Sequence, residues 1–104
     1  MNILLVCQMG ASTGILVEKM KEAAKKEGGD YKIWANDIYS VKSELNNCDV
    51  ILLGPQIRLQ KNKIQGMVGE SVPVEVIPPV DYGRCNGKAV LEFAKKIAKQ
   101  EVEK

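Results

Sequence analysis

The chain has 104 residues, of which 45% are hydrophobic and 27% are charged, and its formal net charge at pH 7 is +2. The length is that of about one domain, so residues 1–104 are predicted to form a single domain. The composition excludes a disordered chain, and so small a net charge, with lysines spread along the sequence, argues against a nucleic-acid partner.

Short runs of branched apolar residues alternate with helical patterns along the chain. In chain order, the pattern predicts a strand at 3–6, a helix from 12 or 13 to 26, a strand at 32–35, a short helix at 41–46, a strand at 50–53, a helix at 61–68, a strand at 74–77 and a helix from 87 to 99. This alternation indicates βαβ units, whose right-handed crossovers place helices on both faces of a parallel sheet. We therefore expect an α/β fold with an open four-stranded parallel sheet in the order 2-1-3-4.

The residue that follows the first predicted strand is Cys7, and it lies where this class of fold binds ligands. Open parallel sheets bind ligands outside the carboxyl ends of the strands, at the point where the strand order reverses. For the order 2-1-3-4 this point lies between strands 1 and 3, whose ends are marked by Cys7 and Gly54. A functional site is therefore expected around Cys7.

The loop after Cys7, QMGASTG, has the composition of an anion site. Gly10 and Gly14 allow backbone angles that other residues avoid, so main-chain N–H groups can converge there. The N–H groups in the first turn of the following helix lack intrahelical partners, which suits a phosphate-sized anion. The same surroundings stabilise a thiolate, so Cys7 is predicted to be a nucleophile facing a phosphate site. On these residues alone an inert buried thiol is an equal alternative, because free cysteine is usually buried.

Several kinds of site are excluded by what the chain lacks. It contains no histidine, which excludes Cys-His and Ser-His-Asp catalysis and most zinc and iron chemistry. Its three cysteines are an odd number with no close pair, which argues against a disulfide framework and a clustered zinc site. The P-loop, G-x-G-x-x-G and C-x-x-C motifs are also missing. No metal site of these kinds is therefore expected.

The strongest competing motif is the loop of small tyrosine phosphatases, in which an arginine stands six residues after the cysteine. This chain has Thr13 at that position. Hydrolysis of a phosphocysteine requires that arginine and a carboxylic acid that protonates the leaving group. Without them hydrolysis should be slow, so the loop suits a phosphoryl carrier better than a phosphatase.

Several segments stand at a consistent spacing over nearly the whole chain. They are Cys7 at the strand end, the loop residues Gly10, Ser12 and Thr13, DVILLGPQI from Asp49, VPVEVI from Val72, and Tyr82 with Gly83. Together they resemble the IIB components of the bacterial sugar phosphotransferase system, in the lactose, cellobiose and chitobiose class. The departures are Gln8, Met9, Ala11 and Gly14.

The resemblance implies that the chain is a phosphotransferase in a relay, which demands no metal and no small-molecule cofactor. A IIA protein would pass a phosphoryl group from its phosphohistidine to Cys7. A sugar of the cellobiose, chitobiose or lactose type, held by the membrane-embedded IIC protein, would then receive it. Main-chain N–H groups of the loop would bind the phosphoryl oxygens, and the hydroxyls of Ser12 and Thr13 would be additional donors. The phosphate-binding residues would be Gln8, Met9, Gly10, Ala11, Ser12, Thr13 and Gly14.

Two residues near the predicted switch point, Gln56 and Tyr82, are candidate contacts for the partner proteins. Loop residues at such points often carry function, but a solvated glutamine and an aromatic ring that covers the sheet end are the alternatives.

The chain has no run of about 20 apolar residues, and its first apolar run is too short for a signal peptide. It is therefore expected in the cytoplasm, as a monomer that reaches the inner face of the membrane through IIC. Two functions from other classes stay open: a small cysteine-dependent phosphatase, and a module that only senses phosphate.

Overall fold

The structure, a computed structural model, describes residues 1–7, 11–38, 47–69 and 72–102. The predicted helix at 41–46 lies outside these ranges, as do the loop residues Gln8, Met9 and Gly10.

The strands are β1 (Asn2–Cys7), β2 (Lys32–Asp37), β3 (Val50–Leu53) and β4 (Val74–Val76). They form one parallel sheet in the order β2-β1-β3-β4, which confirms the predicted order. β2 continues two residues beyond its apolar run, through Asn36 and Asp37, because backbone pairing with β1 does not depend on apolar side chains. β1 and β2 therefore end together at the carboxyl edge of the sheet.

The helical segments of the described ranges are α1 (Ala11–Glu27), a 3₁₀ segment (Pro55–Gln60), α2 (Lys61–Val68), α3 (Pro79–Gly83) and α4 (Gly87–Val102). α2 has the predicted bounds. The 3₁₀ segment and α3 are not predicted by the sequence pattern, because both are too short to show a period. Each begins at a proline, which breaks a pattern but suits the first position of a helix. Within the described ranges, no helix is long and apolar enough to cross a membrane.

The core has two parts, one on each face of the sheet. Alternate residues of a strand point to opposite faces. On one face, Ile3 and Leu5 of β1 pack against buried residues of α1 and α4. On the other face, Leu4 and Val6 pack with Ile64 of α2. The predicted covering of both faces by helices is confirmed.

α1 and α4 approach each other closely at Gly87, the first residue of α4. A Cβ atom on Gly87 would lie 2.5 Å from the carbonyl oxygen of Lys19 and 2.5 Å from the backbone nitrogen of Met20. Those atoms belong to the backbone of α1 and cannot turn aside as a side chain would. The position therefore requires a residue without a side chain.

A second contact ties the end of α1 to α4 through Glu27. Lys95 donates hydrogen bonds to the two carboxylate oxygens of Glu27 at 3.0 and 3.3 Å, and the Tyr31 hydroxyl donates to Glu27 at 2.9 Å. These donors lower the pKa of the Glu27 carboxyl below its usual value. The pKa of Tyr31 is raised, first by desolvation and then by its hydrogen bond to Glu27. The pKa of Lys95 is raised because its ammonium is hydrogen-bonded to Glu27 and Glu92.

Candidate functional site

A row of residues crosses the carboxyl edge of the sheet at Cys7. Cys7 ends β1 and pairs in register with Asp37, which ends β2. On the other side, Val6 pairs with Leu53, so the next residue, Gly54, lies at the level of Cys7. The Gly54 N–H donates to the Val6 carbonyl at 2.9 Å, which continues the ladder past the end of β3. Cys7 therefore lies between a carboxylate and a residue without a side chain.

Cys7 is the buried end of an apolar strand, with 4% of its surface exposed. Its carbonyl oxygen accepts a hydrogen bond from the Ile38 N–H at 3.0 Å, so its backbone is fixed from the β2 side as well. The other two cysteines lie elsewhere: Cys48 packs in the core on the α2 face, and Cys85 lies in the turn between α3 and α4. All three belong to the described residues, and none forms a disulfide.

The side chains predicted as partner contacts meet over Gly54. A Cβ atom built on Gly54 would lie 2.9 Å from Gln56 Oε1, 3.6 Å from Tyr82 Cε2 and 3.7 Å from Cys7 Cβ. Gln56 is exposed in the 3₁₀ segment that follows β3, whereas Tyr82 is half-buried in α3. Both therefore lie beside Cys7 at the switch point. Their contact with a partner stays a prediction.

Thr13 is fully buried, and its hydroxyl lies 3.3 Å from the hydroxyl of Tyr82. This hydrogen bond connects the first turn of α1 to α3 across the carboxyl edge of the sheet. A hydroxyl has one proton and two acceptor lone pairs, so Thr13 can accept from Tyr82 and still donate once. Thr13 thus holds the aromatic ring next to Cys7, whereas a phosphatase would place an arginine at this point of its loop.

The start of α1 lies earlier than the sequence pattern indicates. Ala11, Ser12, Thr13 and Gly14 form its first turn, although the prediction placed the start at Ser12 or Thr13. Gly14 is consequently an ordinary helical residue, and the interpretation that it supplies an unusual loop conformation is wrong. The N–H groups of these residues are those that lack an intrahelical acceptor. Three residues, Gln8 to Gly10, separate this turn from Cys7 and lie outside the described ranges.

Asp37 is the site residue that the sequence pattern does not identify. The apolar run of β2 stops at Ala35, so the predicted strand ends before the pairing does. The pairing register could have indicated it. If β1 is extended to Cys7, the residue of β2 that pairs with Cys7 is Asp37.

The chain is similar to known proteins over most of its length. Residues 2–93 match the family model described as PTS system, lactose/cellobiose specific IIB subunit. An oligo-beta-mannoside-specific EIIB component from Bacillus subtilis (strain 168) is 39% identical over 94 residues, which cover 89% of this chain and 91% of that protein. A galactose-specific EIIB component from Lactococcus lactis subsp. cremoris is 37% identical, over 91% of this chain and 94% of that protein. The solution structure of a cellobiose-specific IIB component from Borrelia burgdorferi superposes with a TM-score of 0.80, at 34% identity, covering 97% of this chain and 94% of that one.

Proposed function

Because the chain belongs to the family of lactose/cellobiose-specific IIB subunits of the phosphotransferase system, we propose that it carries a phosphoryl group on Cys7. The donor is the phosphohistidine of a IIA protein, and the acceptor is a sugar bound by a membrane-embedded IIC protein. The observation that supports Cys7 as the carrier is its position: it ends β1 at the switch point of the sheet, with three residues between it and the first turn of α1. Neither Cys48 nor Cys85 ends a strand ahead of a helix.

The reaction consists of two in-line displacements at phosphorus. In the first, the Cys7 sulfur forms a bond to phosphorus while the P–N bond of the phosphohistidine breaks. The imidazole leaves with the electron pair and takes up the proton that the thiol gives up, directly or through solvent. In the second, a sugar hydroxyl oxygen forms a bond to phosphorus while the S–P bond breaks. Cys7 leaves as a thiolate, and the hydroxyl proton passes to it or to water.

The chain contributes positioning and hydrogen-bond donors to both steps. α1 is 17 residues long, and its N-terminus carries a partial positive charge that favours a bound phosphoryl group. The N–H groups of residues 8–14 are the proposed ligands of the phosphoryl oxygens, with the hydroxyls of Ser12 and Thr13 as further donors. The side chains of Gln56 and Tyr82 reach the space over Gly54, next to Cys7, which supports a role at the contact with IIA or IIC.

The sugar is proposed to be of the cellobiose, chitobiose or lactose type. The relatives carry the names of three different sugars, oligo-beta-mannoside, galactose and cellobiose, at similar identity to this chain. Since IIC holds the sugar, we infer that IIC decides which of them is phosphorylated. The chain would act from the cytoplasm, as a single domain that docks on IIA and IIC in turn.

The test is transfer from a phosphorylated IIA protein of the cellobiose class, followed by intact mass and phosphorus NMR. We expect the mass of one phosphoryl group and a phosphocysteine signal, both lost in Cys7→Ala and kept in Cys85→Ala. Phosphorylation that persists in Cys7→Ala would refute the assignment of the carrier. An aryl phosphate assay tests the phosphatase alternative, because turnover that depends on Cys7 would favour it. Reversible phosphate binding without any gain in mass would favour the phosphate-sensing module.

A further inference from the structure

β1 and β2 pair at six positions, and the last pair is Cys7 with Asp37. Neighbouring strands of a sheet lie about 5 Å apart, and residues paired in register project from the same face. The earlier pairs on this face are Ile3 with Ile33 and Leu5 with Ala35, and all four contact the core under α1 and α4. By this alternation, the side chains of Cys7 and Asp37 leave the same face of the sheet as neighbours.

The described residues on the other side of Cys7 that meet over Gly54 carry no formal charge. Gly54 has no side chain, and the groups that meet over it are an amide and a phenol, those of Gln56 and Tyr82. The loop that follows Cys7, residues 8–14, contains no charged residue. Among Asp37, Cys7, Gly54, Gln56 and Tyr82, Asp37 therefore carries the one formal charge. Asp37 is half-buried, so solvent screens its charge incompletely.

We propose that the carboxylate of Asp37 repels the phosphoryl group on Cys7 and so favours its transfer onward to the sugar. This inference rests on the proposed function of Cys7. A phosphorylated side chain carries nearly two negative charges at neutral pH. A carboxylate about 6 Å away lowers the equilibrium population of such a group by about five- to tenfold in a medium like water, and by more where water is excluded. Transfer of the phosphoryl group removes the repulsion, so Asp37 makes the phosphocysteine a better donor.

The first measurement is the equilibrium of the phosphoryl group between a IIA protein and this chain, followed by intact mass. We expect Asp37→Asn to raise the ratio of phosphorylated to unphosphorylated chain by about five- to tenfold, and Asp37→Glu, which keeps the charge, to stay near wild type. The effect should shrink as salt is added, because salt screens charge repulsion but does not correct a structural defect.

Asp30→Asn is the matched control. It removes the same charge from an exposed residue just before β2, at the opposite edge of the sheet. The backbone carbonyl of Asp30 accepts a hydrogen bond from the amino terminus at 3.0 Å, and the substitution leaves that carbonyl in place. We expect Asp30→Asn to leave the equilibrium unchanged.

A second measurement does not need phosphoryl transfer. Iodoacetate and iodoacetamide both react with the thiolate, but only iodoacetate is negatively charged, so the ratio of their rates at Cys7 reports the local potential. We expect Asp37→Asn to raise this ratio about three- to fivefold at Cys7 and to leave it unchanged at Cys85, which serves as the internal reference.

The two measurements distinguish the possible failures. An unchanged alkylation ratio at Cys7 in Asp37→Asn overturns the proposal, since the charge would then not act at the sulfur. A raised ratio with an unchanged phosphoryl equilibrium overturns it as well. If the ratio rises but the wild-type chain accepts no phosphoryl group, the proposed function fails, and the transfer role of Asp37 fails with it, while the placement of its charge beside Cys7 stands.

Discussion

Gly54→Ala is expected to separate the stability of the chain from its activity. Gly54 has φ −60° and ψ 145°, angles that alanine adopts without strain. The added methyl group would lie 3.6 Å from Tyr82 Cε2 and 3.7 Å from Cys7 Cβ, which are ordinary contacts. Its close approach is to Gln56 Oε1, at 2.9 Å, and that atom is the end of a flexible side chain that can move away. The fold should therefore accept the methyl group.

The two expected effects have opposite signs. Alanine restricts the unfolded chain more than glycine does, which at a compatible position stabilises a protein by about 0.4–1 kcal/mol. Part of this gain is offset by the displacement of Gln56, so urea unfolding should show a stability equal to or slightly above that of wild type. The methyl group also fills the space beside Cys7 and moves Gln56. Because a misplacement of about 1 Å can slow a positioned reaction about a hundredfold, single-turnover transfer from phosphorylated IIA should slow by about 10- to 100-fold.

Gly66→Ala is the matched control for this prediction. Gly66 is an exposed residue of α2, and a Cβ atom there meets nothing within 4 Å. This variant should gain up to about 1 kcal/mol of stability from helix propensity and transfer at the wild-type rate. Wild-type transfer by Gly54→Ala would refute the argument that the space over Gly54 belongs to the site. A large loss of stability in Gly54→Ala would refute the argument that the Gln56 side chain can move away from the added methyl group.

Gly87→Ala should lose about 1–3 kcal/mol in urea unfolding, because the methyl group would overlap the backbone of α1 at Lys19; an unchanged midpoint would contradict the close contact of α1 and α4. For Glu27, hydrogen bonds from Lys95 and Tyr31 hold the folded pKa below the usual 4.5, so its contribution to stability is complete above about pH 4.5 and is lost as the pH falls through the folded pKa. Glu27→Gln should therefore flatten the fall in stability below about pH 4.5, measured as urea midpoints against pH, and an unchanged slope would exclude this contribution.

The sheet is predictable from the sequence because its central strands, β1 and β3, are almost entirely buried and apolar. The edge strands, β2 and β4, are only partly buried but still carry apolar residues that stand out from the charged helices. The alternation with helices then leaves few topologies. The same signal fails at the carboxyl end of β2, where the residues are polar. β2 runs on to Asp37 through pairing with β1, and this pairing depends on backbone groups that every residue except proline carries. The pattern of side chains therefore does not show how far β2 extends.

The sequence indicates several residues of the candidate site but not how they are arranged in space. Cys7, its loop and Gln56 stand out because each lies at or shortly after the carboxyl end of a strand. The meeting of Gln56 and Tyr82 over Gly54 depends on the 3₁₀ segment and α3, which are too short to leave a periodic pattern. The hydrogen bond between Thr13 and Tyr82 spans 69 residues of sequence, so no local pattern could indicate it.

The charges around Cys7 suit a group that is held briefly. Tighter binding of the phosphoryl group in the resting state lowers the free energy of that state. This raises the barrier to transfer unless the transition state is stabilised equally. In this chain the loop position at which a phosphatase has arginine is Thr13, whose hydroxyl lies against Tyr82 rather than adding a positive charge. The register partner of Cys7 is Asp37, which adds a negative charge. If Cys7 is the carrier, main-chain amides orient the phosphoryl group, while the side chains of Thr13 and Asp37 add no positive charge that would hold it strongly. A relay that passes phosphate on, instead of storing or hydrolysing it, requires that balance.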